Sequence, residues 1–323
     1  MLHNCSMTSD ALQNYDSDKS TEWGREFDTN VPTYTKLVEE IKYTLWEALN
    51  EAEIKIHSVE GRVKDRPGFM EKITRKDYSD PFNEMPDIVG ARAVCLFIED
   101  LPKIDEIIRE NFTVKVTEDK INDSAIDSFG YMSVHYECSW KESNTGPRYR
   151  GFEGITFEIQ CRTLLMDAWA NVSHHLAYKG KASVPNELQK DFHALSALFY
   201  IADQQFQKFQ DASAKAEMDA PAKIVSSATV DVVIDRSTLK ALLIELYPDR
   251  ERVDDAGYSE LVEELAVAGF TEINKLRKLL TKGMHKAERD EAANPPWDSQ
   301  EGSRTRYSQM GIVRQTLQYP RSY

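Results

Sequence analysis

The run Ile88-Val89-Gly90-Ala91-Arg92-Ala93-Val94-Cys95-Leu96-Phe97-Ile98 decides the architecture. It is far shorter than the roughly 20 apolar residues of a membrane helix, and it reads as a central strand covered on both faces. Arg92 breaks the run. An unpaired guanidinium is costly to bury, so Arg92 must face an anion or an open cleft. Outward from this run, residues 112–116, 131–140 and 155–161 read as further strands, with Asn144-Thr145-Gly146-Pro147 as a turn. Between and around them lie helical patterns. Residues 34 to about 59 carry Leu37, Val38, Ile41, Leu45, Ala48, Ala52 and Ile56 at spacings of three and four, and 104–109, 164–178 and 186–216 read as helices too. Interleaved strands and helices predict an α/β fold, a mixed sheet flanked by helices.

The chain has 323 residues, 41% hydrophobic and 29% charged. That is enough for two domains with buried cores, and it excludes a disordered or low-complexity chain. The expected layout is a mobile arm over 1–33, the α/β domain over 34–215, a linker over 216–230 around Pro221, and a helical unit over 231–323. In that last unit Ser237 reads as a helix cap and Gly269 as a helix stop. The net charge of −14 opposes general nucleic-acid binding by counterion release. Cys5, Cys95, Cys138 and Cys161 are far apart and form no CxxC pair, so buried free thiols are expected rather than a zinc or disulfide framework. The start carries no apolar leader, which points to a cytoplasmic protein without a membrane partner.

Against this negative average, residues 62–76 concentrate Arg62, Lys64, Arg66, Lys72, Arg75 and Lys76 against Asp65 and Glu71. Lys72 and Arg75 are three apart and share a helix face. A charge run by itself is more often a solvated surface, but Arg and Lys clamps are also what neutralises a polyphosphate. Two carboxylates tilt the balance. Asp87 stands just before the central strand, and Glu158 shares a strand face with Gln160, followed by Arg162. One or two carboxylates plus substrate phosphates are the usual Mg²⁺ donors.

Five ordered segments complete the pattern: R-V-K…K-I-T-R-K (62–76), D-I-V-G-A-R (87–92), F-G-Y-M-S-V-H (129–135), F-E-I-Q-C-R-T (157–163) and W-A-N-V-S-H-H-L-A-Y-K (169–179). They resemble the synthetase domain of the RelA/SpoT family of alarmone synthetases, over roughly 34–212. The resemblance implies a nucleotidyltransferase-like fold and transfer of a pyrophosphoryl group from ATP to the ribose 3′-hydroxyl of GDP or GTP, making (p)ppGpp, with Mg²⁺ or Mn²⁺ as cofactor. It assigns Arg62, Lys64, Lys72 and Arg75 to the phosphates and adenine of ATP, and Arg92 to a further phosphate or structural contact. Asp87 and Glu158 become the metal carboxylates, Glu158 also activating the acceptor hydroxyl. Tyr131 becomes the aromatic stacked on guanine, with His135, Gln160 and Arg162 on the acceptor side.

The segments also depart from the family pattern. Met132 stands where Arg is usual, Asp127 and Ser128 where a basic residue is common, and Ser173 where Glu precedes the histidine. Other acceptors, such as the 3′ end of tRNA, therefore stay open, as does a nucleotide-binding module without turnover. No His-Asp dipeptide occurs, so no hydrolase domain is expected. His174 and His175 are adjacent and diverge around a helix, which argues against a metal pair. In the second unit, Leu239, Leu242, Leu243, Leu246, Leu261, Val262, Leu265, Ile273, Leu276, Leu279 and Leu280 form three apolar stripes. They suit a regulatory or homo-oligomerising appendage that supplies no catalytic group, with Arg304, Arg306 and Arg314 in a solvated tail.

Overall fold

The structure is a computed structural model that describes residues 9–121, 133–177, 185–226, 231–298 and 303–318. It divides into two units, Met1–Lys208 and Phe209–Tyr323.

The first unit opens with helix α1 (Ser9–Glu51), which buries Phe27, Tyr34, Leu37, Val38, Ile41, Leu45 and Leu49 along one stripe. Residues 9–33 are therefore helix, not an arm. Trp23, Phe27 and Val31 continue the three-four spacing upstream, a signal the sequence reading passed over. At its other end the helix stops before the spacing does. Glu53 takes a left-handed φ of 56°, and the Ile54 N–H donates to the Leu49 carbonyl at 3.1 Å. Ile56, which fits the helical stripe, instead begins strand β1 (Ile56–Val63).

Next come α2 (Arg66–Lys76), α3 (Pro81–Glu84), a 3₁₀ turn (Pro86–Ile88), β2 (Val89–Cys95), α4 (Asp100–Asn111), β3 (Phe112–Asp119), β4 (Val134–Trp140), β5 (Thr156–Thr163) and α5 (Leu164–Ala177). After a second 3₁₀ turn (Asn186–Leu188), α6 (Gln189–Ser226) runs on into the second unit. The strands form one mixed sheet in the order β1-β2-β5-β4-β3, with β2 and β5 parallel and the other pairs antiparallel.

Register gives this sheet two unlike faces. The cross-strand rows Arg62–Gly90–Glu158–Glu137 and Glu60–Arg92–Gln160–His135 share one face, while the row Gly61–Ala91–Ile159–Tyr136 shares the other. Helices α1 and α4 pack on the apolar face. Gly61 permits this, because a Cβ there would lie 2.7 Å from a Val38 methyl. The polar face of β2 is covered only toward its C-terminal end, where Val94 is buried and Asp167 of α5 meets Arg92, and it is open at Gly90. Gly90 and Arg92 interrupt the run because they belong to the polar side. Cys95, Cys138 and Cys161 are buried free thiols, as expected.

The second unit contains the end of α6, then α7 (Arg236–Leu246), α8 (Asp255–Val267), α9 (Ile273–Ala293), a two-residue strand pair β6 (Trp297–Asp298) and β7 (Ser303–Arg304), and α10 (Gln309–Gln318). The predicted linker is helical as far as Ser226. Pro221 lies inside α6 and Ile224 is buried in the core of this unit, while 227–230 lie outside the described residues. The cap of α7 is Asp235 rather than Ser237: its carboxylate accepts the Thr238 N–H at 2.8 Å, and the Thr238 hydroxyl accepts the Asp235 N–H in return. Gly269 does end α8, at φ 84°, with the Gly269 and Phe270 N–H groups returning to Ala266 and Leu265. Helix α10 buries Met310, Ile312 and Val313, and Arg314 reaches Glu260 at 2.9 Å and Glu264 at 2.5 Å. Arg314 is thus a packed residue and not part of a solvated tail. Among the described residues no helix is long and apolar enough to cross a membrane.

Candidate active site

The polar sheet face carries a cleft lined by Glu60, Gly61, Arg62, Asp87, Gly90, Ala91, Arg92, Glu158 and Gln160. Its floor is open at Gly90, where a Cβ would meet nothing within 4 Å. Residues far apart in sequence arrive here for local reasons. Arg62 projects near the end of β1. Asp65 caps α2 by accepting the Gly68 N–H at 3.1 Å, and Lys72 on that helix donates to Asp87 at 2.8 Å. Asp87 sits in the 3₁₀ turn before β2, at φ −87° and ψ 19°.

Asp87 is held from two sides, by Lys64 at 2.9 Å and Lys72 at 2.8 Å. Burial pushes its carboxyl upward, but the two ammonium groups outweigh that and hold it below the usual carboxylate range. Glu158 is similar. Burial raises it, while His135 Nδ1 at 2.8 Å and the Gln160 amide at 2.5 Å lower it by more, so it too is ionised at neutral pH. His135 is buried, and its Nε2 meets the Ser133 hydroxyl at 2.8 Å. Gln160 in turn accepts Arg162 Nη2 at 2.7 Å.

Arg92 faces both an anion and a cleft, as its place in an apolar run demanded. Its partner is Asp167 at 2.9 Å, with Glu60 more distant at 3.9 Å. Arg162 is 1% exposed, and burial followed by the Arg92 charge pulls it down to about 10, still protonated at neutral pH. Its Nη1 also reaches Asp167, at 3.4 Å. Sequence reasoning missed Asp167. Arg92 lies on β2 and Arg162 on β5, so their shared need for a carboxylate shows only once the two strands are paired.

One predicted residue stays apart from this cluster. Arg75 does not line the cleft; it pairs with Glu71 on its own helix at 3.2 Å and is exposed. Tyr131, with Asp127, Ser128 and Met132, lies outside the described residues. His174 and His175 are exposed on α5, and Ser173 Oγ turns back to the Ala170 carbonyl. Among the described residues no three metal-type side chains cluster. Two carboxylates on one cleft beside several cations are a donor set that suits a hard cation shared with phosphate oxygens.

The family described as the region found in RelA / SpoT proteins matches residues 61–183. GTP pyrophosphokinase YjbM of Bacillus subtilis (strain 168) is 31% identical over 172 residues, covering 48% of this chain and 75% of that protein. GTP pyrophosphokinase YwaC of the same organism is 26% identical over 153 residues, covering 46% and 71%. A solved GTP pyrophosphokinase family protein from Streptococcus pneumoniae superposes with a TM-score of 0.51 at 25% identity, over 59% of this chain and 96% of that one. All of the cleft residues from Gly61 to Gln160 fall inside the matched family region. This chain belongs to the RelA/SpoT family.

Proposed function

We propose that the chain is a GTP diphosphokinase, which moves the β,γ-pyrophosphate of ATP to the 3′-hydroxyl of GDP or GTP and so makes (p)ppGpp. The observation that carries this is the single cleft in which Asp87 and Glu158 converge with Arg62 and Arg92, beside Lys64 and Lys72. Its relatives are named for the same activity.

Phosphoryl-type transfer asks a protein for in-line placement and charge neutralisation. Lys64 and Lys72 pair with Asp87, and each ammonium is a point charge that can pass to a phosphate oxygen. Arg62 and Arg92 extend that positive wall along the cleft. Arg75, tied to Glu71 by an exposed helix pair of small worth, remains available at the adenine side. Mg²⁺, or Mn²⁺ in its place, would be held by Asp87 and Glu158 and would neutralise the phosphates. Glu158, ionised and fixed by His135 and Gln160, accepts the proton of the 3′-hydroxyl as its oxygen bonds to the β-phosphorus. The α–β bridge breaks and AMP leaves. The family resemblance assigns Tyr131 to the stack on the acceptor guanine, an interaction worth about 1–3 kcal/mol.

The test is the full chain with labelled ATP, Mg²⁺ and GDP, GTP or tRNA in separate reactions. AMP and a 3′-pyrophosphorylated guanine nucleotide are expected, and Asp87→Ala should abolish both. Label appearing in tRNA alone, or none with any acceptor, overturns the reading.

A further inference from the structure

Asp167 pairs with two arginines of the site, Arg92 and Arg162, yet it is not among the residues that line the cleft. It lies in the first turn of α5, 17% exposed by side chain. Its Oδ1 forms an ion pair with Arg92 Nη1 at 2.9 Å and accepts Arg162 Nη1 at 3.4 Å, and its Oδ2 accepts the Asn171 amide at 2.9 Å. One carboxylate therefore serves two guanidinium groups. It offsets the repulsion between Arg92 and Arg162 and fixes the Arg92 guanidinium at the cleft wall.

The second consequence follows from what each group can donate. A guanidinium only donates, so Arg162, aligned by Asp167, obliges Gln160 to present its carbonyl oxygen, at 2.7 Å. The Gln160 amide nitrogen must then point the opposite way, toward Glu158 Oε2 at 2.5 Å. Glu158 is left with one oxygen on Gln160 and the other on His135. The chain Asp167–Arg162–Gln160–Glu158 has a single consistent polarity, and Asp167 is its anchor. An acidic residue in a first helical turn also favours the helix dipole, a purely structural role worth about 0.3–1 kcal/mol. That role would reach neither Gln160 nor Arg92.

We propose that Asp167 is a positioning residue: it aims Arg92 at the incoming phosphates and, through Arg162 and Gln160, orients the Glu158 carboxylate. The proposal rests on the reading of the cleft as an ATP-dependent transferase site, and two double-mutant cycles on the full chain separate the two. The first uses ATP·Mg²⁺ affinity measured by calorimetry, which needs no turnover. Asp167→Asn should weaken binding about fivefold in the parent and by less than twofold in an Arg92→Ala background. The second uses kcat with GDP. Asp167→Asn should lower it about tenfold in the parent and by less than twofold in Gln160→Ala. A structural role gives equal losses in parent and background, together with a lower melting temperature, and would overturn the proposal. If Asp167→Asn does not fold, Asn171→Ala takes its place; Asn171 is exposed, and its removal should show the same coupling at two- to threefold size. If the parent turns nothing over, the functional reading falls, and the affinity cycle still decides the role of Asp167.

Discussion

In the first unit Asp87 is held by Lys64 and Lys72 at 2.9 and 2.8 Å, and the three side chains keep 13–20% of their surface exposed. In the second unit Arg250 grips Glu291 with two bonds of 2.8 Å, and the side chains are 2% and 8% exposed. Arg250 also donates to the Tyr307 carbonyl at 2.9 Å, and Glu291 accepts the Tyr307 N–H at 2.5 Å. By contact distance the two clusters look alike. They differ in what can replace the partner. Ammonium groups on a cleft can pass from a carboxylate to a phosphate, whereas a desolvated fork closed over a backbone loop has nowhere to go. An ion pair open to a cleft can exchange partners, and one buried between a loop and a helix cannot.

The contrast is sharpest in the first unit. Glu158→Gln keeps the shape and hydrogen-bonding reach of the side chain but removes its charge, so transfer should fall about 10³-fold, or ~4 kcal/mol of barrier, with the melting temperature nearly unchanged. A steady-state assay beside a thermal scan checks it. If activity survives, Glu158 does not take the proton, and the first unit's carboxylates lose their claim to chemistry. In the second unit the expectation reverses. Arg250→Met strands Glu291 in the core and should cost about 3–5 kcal/mol of unfolding free energy in denaturant titration. Arg250→Met with Glu291→Leu should recover much of that loss, and a harmless single variant would break the comparison from this side.

A third prediction concerns a buried carboxylate that carries no cation among the described residues. Asp203 is 3% exposed and accepts the Thr163 hydroxyl at 2.6 Å, and burial pushes its carboxyl from 3.8 up to about 6. Its folded pKa lies above its unfolded one, so the folded state binds the extra proton. Stability from this group is therefore present at low pH and lost as pH rises from about 4 through 6. Asp203→Asn removes that dependence. The variant should match the parent near pH 4 and exceed it by about 2–3 kcal/mol at pH 8, read from paired unfolding curves. The smallest effect belongs to a cap: Asp235→Ala should cost about 1 kcal/mol, seen as a lower midpoint for the second unit alone.

Much of this molecule was legible before any coordinates. The apolar strand with its lone arginine and the Glu158–Gln160 alternation need only a period of two and a rule against unpaired buried charge, whereas the five-motif order speaks through its resemblance to a known family. The Leu stripes of α7–α9 and the Gly269 stop need only a period of 3.6 and one glycine with positive φ. Where the reading went astray, local pattern had two solutions. Ile56 fits a helical stripe and also starts a strand, and a left-handed Glu53 decides between them. Residues 9–33 looked polar because Trp23, Phe27 and Val31 are sparse, yet α1 is long enough to lay them against the first unit's core.

Residue types and their spacing determined which side chains could bind phosphate, hold a cation or take a proton. Pairing decided which of them meet. Asp87 and Lys72 are fifteen residues apart and bond only because α2 folds back across the end of β2. Arg92 and Asp167 belong to β2 and α5, and parallel register between β2 and β5 sets the first beside Gln160 and the second at its end. Strand register is a long-range choice made by the whole buried face, so no local window of sequence contains it. That is why the two carboxylates could be named from the sequence, while Asp167 emerged only once the sheet was assembled.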